Sequence, residues 1–263
     1  QVAQVDKAPL LPAHTLLPLD QFVVAGRAAV DRATASSRGV ERRRRADAFD
    51  VGAWQCPQCV REDIQFRGFA YARRSAQLPG LDWCTKHGVL LMRTGPSDKV
   101  GDAVPVELTA AELGYVEILE AVLDLPYAIP LAQASARLRE QAARAGLRIR
   151  SSSSSATMSD RAASVMPARW LQRHRPLIAA GARYDRLDRI HTSPANPFAA
   201  EDYVLALTVL YDSADEALFE FLRPLSSVEL ARVESLARRR GPKCYRGFAA
   251  VALSSELRDT ARQ

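Results

Sequence analysis

The chain has 263 residues, of which 48% are hydrophobic and 25% are charged, a composition typical of a globular protein with one large or two modest domains. Its net charge of +6 is carried mostly by arginine and favours a polyanionic partner such as nucleic acid. The sequence contains no apolar run of about 18 residues, and no basic segment followed by an apolar core stands near its start. We therefore expect no membrane span and no secretory signal, and we expect a cytoplasmic protein.

The N-terminal lead-in covers residues 1–50, and we expect it to be partly helical, with a short helix over residues 21–33. The chain begins at Gln1 rather than Met, as a fragment or a processed product would. The lead-in ends in four consecutive arginines, namely Arg42, Arg43, Arg44 and Arg45. Two interpretations of this run stay open: it contacts DNA phosphates, or it is a solvated charge run beside a loop.

Two pairs of metal-ligand residues lie within residues 51–105, in Cys56-Pro-Gln-Cys59 and in Cys84-Thr-Lys-His87. Two ligands separated by two residues form a tight turn that aims both donors at one point, and two such turns supply the four donors of tetrahedral zinc. Ordinary buried cysteines do not explain two pairs of this spacing. Because three thiolates and one imidazole leave no open coordination position, the pattern predicts one structural zinc ion in a zinc-finger module.

Helical patterns dominate the rest of the chain. In the helical segment 106–150, Thr109 and Glu112 form a capping box that is followed by apolar residues at helical spacing. Five consecutive serines indicate a linker over residues 151–158. The C-terminal region, residues 159–263, contains a strongly apolar helical stretch at residues 203–211. The sequence thus predicts a mainly α protein with a small inserted zinc-ribbon or zinc-knuckle module.

The residues between the ligand pairs carry further elements, which read Glu62-Asp63, Tyr71-Ala-Arg73-Arg74 and Gln77-Leu-Pro-Gly80. With the ligands themselves, this order over residues 54–91 resembles the TniQ/TnsD family of transposon target-selection proteins. The likeness elsewhere is weaker. Where the family usually has Trp and His, this chain has Ala72 and Ala76, and the family's N-terminal helix-turn-helix start is not recognisable.

The resemblance implies a non-catalytic adaptor, associated with the bacterial nucleoid, that does not cut or join DNA. Such proteins recognise a target, either as DNA or through a guide-RNA complex. They then recruit an AAA+ ATPase regulator, which brings the transposase. From the ligand pattern we expect one structural zinc ion as the cofactor, and from the absence of a long apolar run we expect no membrane partner.

Arg73 and Arg74 lie inside the zinc loop, where they face DNA or the ATPase, or pair with Glu62 and Asp63 across the loop. We favour the pairing, since opposite charges stand so close in the sequence.

Aromatic residues near basic or ligand positions give two further expectations. Trp54 and Trp83 flank the ligand pairs, and we expect both to pack against the zinc core rather than stack on bases. Residues 170–189 interleave aromatic residues with arginines, a modest hint of nucleic-acid contact. These arginines are Arg173, Arg175, Arg183, Arg186 and Arg189.

Two alternatives to the adaptor stay open. A zinc-stapled nuclease of HNH type would use Glu62 and Asp63 to hold a catalytic ion, although no pair of histidines accompanies them. A protein-binding scaffold without direct DNA contact would carry its basic charge incidentally.

Overall fold

The computed structural model describes residues 19, 22–24, 53–94, 101–125, 127–147, 156–192 and 197–229. In chain order the elements are β1 (Val23–Val24), β2 (Ala53–Gln55), α1 (Pro57–Arg67), a 3-10 turn (Arg74–Gln77), β3 (Met92–Thr94), α2 (Ala110–Asp124), β4 (Ile129–Pro130), α3 (Leu131–Arg144), α4 (Met158–Val165), α5 (Ala168–His174), α6 (Pro176–Ala179), α7 (Asp185–Asp188), a second 3-10 turn (Ile190–Thr192), α8 (Ala200–Leu210) and α9 (Ala214–Leu222). The prediction of a mainly α protein is confirmed. In the part of the chain described, no helix has the length and apolarity needed to cross a bilayer.

Helix α8 lies at the centre of the helical body. Every residue of α8 except Glu201 is buried, as expected of a helix that is apolar on all sides. Helices α2, α3, α4, α7 and α9 pack around it. Residues on both sides of the Ser-rich segment therefore share one hydrophobic core. The proposed domain boundaries themselves stay predictions, and residues 151–155 lie outside the described residues.

Side-chain caps begin several of these helices. The Thr109 hydroxyl accepts from the Glu112 amide at 3.3 Å, and the Glu112 carboxylate accepts from the Thr109 amide at 2.9 Å, which confirms the predicted capping box. Thr157 and Asp160 form the same device at the start of α4. Each cap satisfies backbone amides that the first helical turn leaves without a partner.

The strand β1 corrects one prediction. We expected a helix over residues 21–33, but Val23–Val24 pair in parallel with Ile129–Pro130. The Ile129 amide donates to the Phe22 carbonyl at 2.8 Å. Phe22 is fully buried against Tyr203 and a neighbouring phenylalanine ring of α9. Tertiary pairing outweighs local helical preference here. Apart from Leu19, the rest of the lead-in, including Arg42–Arg45, lies outside the described residues.

A buried arginine attaches the last described turn to α3. Arg137 is almost fully buried, and its guanidinium donates to the Glu229 carboxylate at 2.6 Å and to the Pro224 carbonyl at 2.8 Å. The Glu229 carboxylate also caps its own helical turn by accepting from the Ser226 amide. The hydrogen bonds from Ser226, together with Arg137, lower the pKa of Glu229 to about 2.

We predict that Glu229→Gln makes unfolding easier at neutral pH. Because the folded-state pKa of Glu229 is depressed to about 2, its stabilising contribution is present above the unfolded pKa of about 4.5 and is lost as the pH falls towards 2. Urea unfolding of wild type and variant from pH 7 to pH 2 should therefore give two curves that converge in acid. A gap that is constant with pH would contradict this role for the carboxylate.

Candidate metal centre

The first ligand pair lies at the start of α1. Cys56 follows strand β2 and is the N-cap residue of the helix, and its thiol accepts from the Cys59 amide at 3.5 Å. Pro57 occupies the first helical turn, where its missing amide proton costs nothing. The cap and the turn together direct the side chains of Cys56 and Cys59 to the same point.

The second ligand pair lies in a tight turn that closes a short hairpin. Trp83 and Leu90 form an antiparallel bridge, and the Cys84 amide donates to the Val89 carbonyl at 2.8 Å. Gly88 has a φ of 62°, a left-handed conformation that a residue without a Cβ adopts at little cost. This glycine allows the chain to reverse directly after His87.

The four predicted ligands come together. His87 Nδ1 lies 3.3 Å from Cys56 Sγ, 3.4 Å from Cys59 Sγ and 3.7 Å from Cys84 Sγ, while Cys59 Sγ and Cys84 Sγ are 3.7 Å apart. A tetrahedral zinc ion with ordinary bond lengths would separate its sulfur and nitrogen ligands by about 3.6 to 3.8 Å. All four donor atoms lie within 4.8 Å of one another, so the cluster could hold a metal ion.

The three cysteines of the cluster are buried. Burial raises the pKa of Cys56, and it raises that of Cys59 to about 12 with a further contribution from neighbouring Cys84. Without a metal, burial favours the protonated thiols of Cys56 and Cys59. A metal ion must displace their protons, so the affinity of the cluster for a metal falls as the pH falls.

His87 is oriented by a carboxylate that the sequence analysis did not assign to the site. Its Nε2 lies 3.0 Å from Glu62 Oε1, and the other oxygen of Glu62 accepts from Lys86 at 2.6 Å. This contact directs the opposite nitrogen, Nδ1, towards the thiols. Glu62 stands three residues after Cys59 on α1, and this helical spacing was the available signal.

The arginines between the two ligand pairs have intramolecular partners. Arg73 pairs with buried Asp63 at 2.7 Å, which confirms one predicted pair. Arg74 instead contacts Asp124 of α2 at 3.3 Å, so its predicted pairing with Glu62 or Asp63 is wrong. Asp63 is occupied by Arg73, and Glu62 by Lys86 and His87. The role of both arginines towards DNA stays a prediction.

The Gln77–Gly80 segment connects the metal centre to the helical body. The Gln77 amide side chain pairs with both backbone groups of Trp54, at 3.2 and 2.6 Å. The Pro79 carbonyl accepts from the Tyr115 hydroxyl at 3.1 Å, and the Gly80 carbonyl accepts from the Trp170 indole at 2.9 Å. Burial raises the pKa of Tyr115 far above its ordinary value, so the hydroxyl stays a donor.

A second set of contacts lies beside this junction. Asp82 accepts from His174 at 2.7 Å and pairs with Arg173 at 2.9 Å. Burial alone would raise the pKa of Asp82, but these two partners outweigh it and lower the pKa below its ordinary value. A cavity of about 400 Å³ lies beside these contacts and is lined by residues of both parts, among them Trp83 and Trp170.

The remaining aromatic and basic candidates differ in whether they are buried, exposed or paired within the protein. Trp83 is buried, as predicted, whereas Trp54 is partly exposed under the Arg93 guanidinium. Arg175 and Arg186 both contact the buried carboxylate of Asp202. Much of the basic stretch at residues 170–189 is thus engaged in internal ion pairs, as Arg173 is with Asp82. This engagement weakens the hint of nucleic-acid contact there.

Comparison with known proteins bears on the same part of the chain. The TniQ family model matches residues 1–91, which include all four ligands and the Gln77–Gly80 segment. This match confirms the resemblance found in the sequence and supports assignment to the TniQ family. No curated protein matches the chain.

We predict that the cluster depends on its thiols and on the carboxylate behind His87. Cys59→Ser should abolish tight Zn²⁺ binding, because one of four donors is removed. Glu62→Ala should weaken Zn²⁺ binding about 10- to 100-fold, because His87 is no longer held with Nδ1 facing the thiols. Competition with a chromogenic chelator measures both affinities.

Two variants serve as matched controls for this experiment. Cys244→Ser removes the cysteine outside the cluster, and Glu117→Ala removes an exposed carboxylate of α2. Both should bind Zn²⁺ as the wild type does. Unchanged affinity in Glu62→Ala would show that Glu62 does not orient the ligand.

We predict that Gly80→Ala destabilises the protein by about 2–4 kcal/mol. Gly80 has a φ of 78°, and an added Cβ would lie 2.8 Å from the Tyr115 hydroxyl oxygen. Gly68→Ala is the matched control, because φ is 80° there but nothing lies within 4 Å. Urea unfolding in saturating zinc measures both. Equal destabilisation of the two variants would mean that the close approach to Tyr115 carries no cost.

Proposed function

Since residues 1–91 match the TniQ family, we propose that this protein is a zinc-containing, DNA-associated adaptor that selects targets for transposition. The family match carries this proposal, because it covers the segment that holds the metal centre. Transposition-associated target selection is the role of the family. Direct DNA recognition and recruitment of an AAA+ ATPase are the finer parts of the proposal.

Zinc is the metal that suits the cluster best. Thiolates select soft or borderline metals over magnesium and calcium, and four donors at tetrahedral spacing suit zinc. Cys56, Cys59, Cys84 and His87 would hold it. A closed set of four protein ligands supplies folding energy and no site for a reacting water.

DNA contact would come from basic residues outside the close, buried ion pairs. Arg73 is engaged by Asp63, which leaves it little freedom to reach a phosphate. Arg74 pairs at the longer distance of 3.3 Å with Asp124, which is largely exposed. We assign the main phosphate contacts to Arg42–Arg45 and a lesser one to Arg74. The net charge of +6 supports an electrostatic contribution of this kind.

We predict that the zinc-loaded protein binds duplex DNA with an affinity that falls steeply as salt rises. Replacing Arg42–Arg45 with alanine should lower the slope of log affinity against log salt by about 0.9 for each phosphate that the variant no longer neutralises. Fluorescence anisotropy with a labelled duplex between about 50 and 200 mM salt measures the slope.

The matched control replaces Arg238, Arg239 and Arg240 with alanine, which removes three positive charges elsewhere in the chain instead of four. An equal reduction of the slope per charge removed would mean that net charge alone drives binding. A wild-type affinity that does not change with salt concentration would contradict direct phosphate contact.

Recruitment of an AAA+ ATPase is tested separately. We expect genes for an AAA+ ATPase and an integrase-like transposase to lie beside the gene for this protein. We also expect the protein to co-purify with that ATPase. Recruitment without measurable DNA affinity would favour the protein-binding scaffold. A neighbourhood without either gene would contradict the transposition role.

The nuclease alternative is less well supported by the contacts of its candidate residues. Asp63 is buried and paired with Arg73, and Glu62 holds His87 and Lys86. Neither carboxylate is available for a second ion. Within the described residues, the Cys₃His cluster is the only group placed to hold a metal.

A further inference from the structure

The end of α1 and the loop after it expose an unusual number of apolar rings. Phe66 is 81% exposed, Phe69 is 62% exposed and Tyr71 is 38% exposed. Ile64, two residues before Phe66 and on another side of α1, is half exposed as well. We call Phe66, Arg67, Phe69 and Tyr71 the aromatic ridge. Exposed rings clustered within six residues are typical of a binding surface rather than of a solvated helix end.

Positive charge accompanies these rings. The Arg67 guanidinium lies 5.0 Å from the centre of the Tyr71 ring. On the same module, the Arg93 guanidinium lies 5.7 Å from the Trp54 ring. Within the described residues, neither Arg67 nor Arg93 has a carboxylate at ion-pair distance.

Acidic residues are absent from this part of the sequence. No Asp or Glu occurs between Asp63 and Asp82, and Asp63 itself is buried under Arg73. The ridge therefore presents rings and guanidinium groups, while Glu62, four residues before Phe66 on α1, is engaged by Lys86 and His87. An anionic partner with flat apolar groups complements such a surface in both charge and shape.

We propose that the aromatic ridge binds single-stranded nucleic acid, with unpaired bases stacked on Phe66 and Phe69 and phosphates held by Arg67 and Arg93. Bases in a duplex already stack on one another, so exposed rings gain little from an intact helix. Unpaired bases offer their faces freely, and each stacked base contributes to affinity regardless of its identity. DNA and RNA strands share this chemistry.

The adaptor would thus hold an unpaired strand at its target, a role that rests on the DNA or guide-complex association proposed above. The contact lies on a different surface from Arg42–Arg45. Loss of strand binding at the ridge and loss of duplex binding at Arg42–Arg45 can therefore be measured separately.

The test uses the full zinc-loaded chain and three fluorescein-labelled probes of equal length: oligothymidine, oligouridine and a DNA duplex. Phe66→Ala combined with Phe69→Ala should weaken oligothymidine binding at least about tenfold, and duplex binding by less than about twofold. Phe66→Tyr with Phe69→Tyr retains both rings and should bind within about threefold of wild type. The oligouridine arm shows whether RNA or DNA is preferred.

The matched control is Phe219→Ala, which removes a ring that is 69% exposed on α9. It should change none of the affinities, and zinc content should be the same in all variants. Equal weakening of single-strand and duplex binding would overturn the proposal. So would unchanged strand binding combined with a failure to recruit the ATPase, because the ridge would then be a protein-docking surface. Wild type that binds strands but not duplex would contradict direct duplex recognition and leave the ridge assignment standing.

Discussion

Two hydrogen bonds to backbone carbonyls determine how the two parts of this protein meet. Tyr115 and Trp170, from different helices of the body, donate to consecutive carbonyls at Pro79 and Gly80. The chain can approach them this closely only because Gly80 has no side chain. The junction is buried, so each polar group needs its partner. Placement of the metal centre on the helical body depends on this arrangement.

The metal centre in turn organises the segment that leads to the junction. Cys56, Cys59 and Cys84 belong to the same buried cluster as Leu78 and Trp83. The thiols are therefore part of the buried core of this small module. A bound ion would add folding energy to that core. A bound metal and the Gln77–Gly80 segment would thus support each other through shared packing.

The sequence predicted the parts of this structure whose chemistry is local. Ligand spacing identified the Cys₃His cluster, and the Thr109–Glu112 box located the start of α2, because both depend on residues a few positions apart. Contacts over long separations escaped prediction: the pairing of Val23 with Ile129, and the docking of Trp170 on Gly80. The ends of such contacts carry no mutual signal in one sequence. Glu62 is an intermediate case. Once α1 is known to be helical, the three-residue spacing from Cys59 places Glu62 on the side of the helix that carries a ligand.

The docking of the metal-binding module has a consequence for how such a protein can change. At Pro79 and Gly80 the acceptors are main-chain carbonyls, and the donors are side chains of the helices. These two hydrogen bonds therefore depend on the path of the backbone and not on the side chains that the loop exposes. Substitutions on the outward side, at positions such as Phe66 or Ala72, leave that path intact. The exposed surface of the module can therefore change its side chains while the Pro79–Gly80 contact with the helices keeps its shape. New binding preferences can arise without loss of that contact.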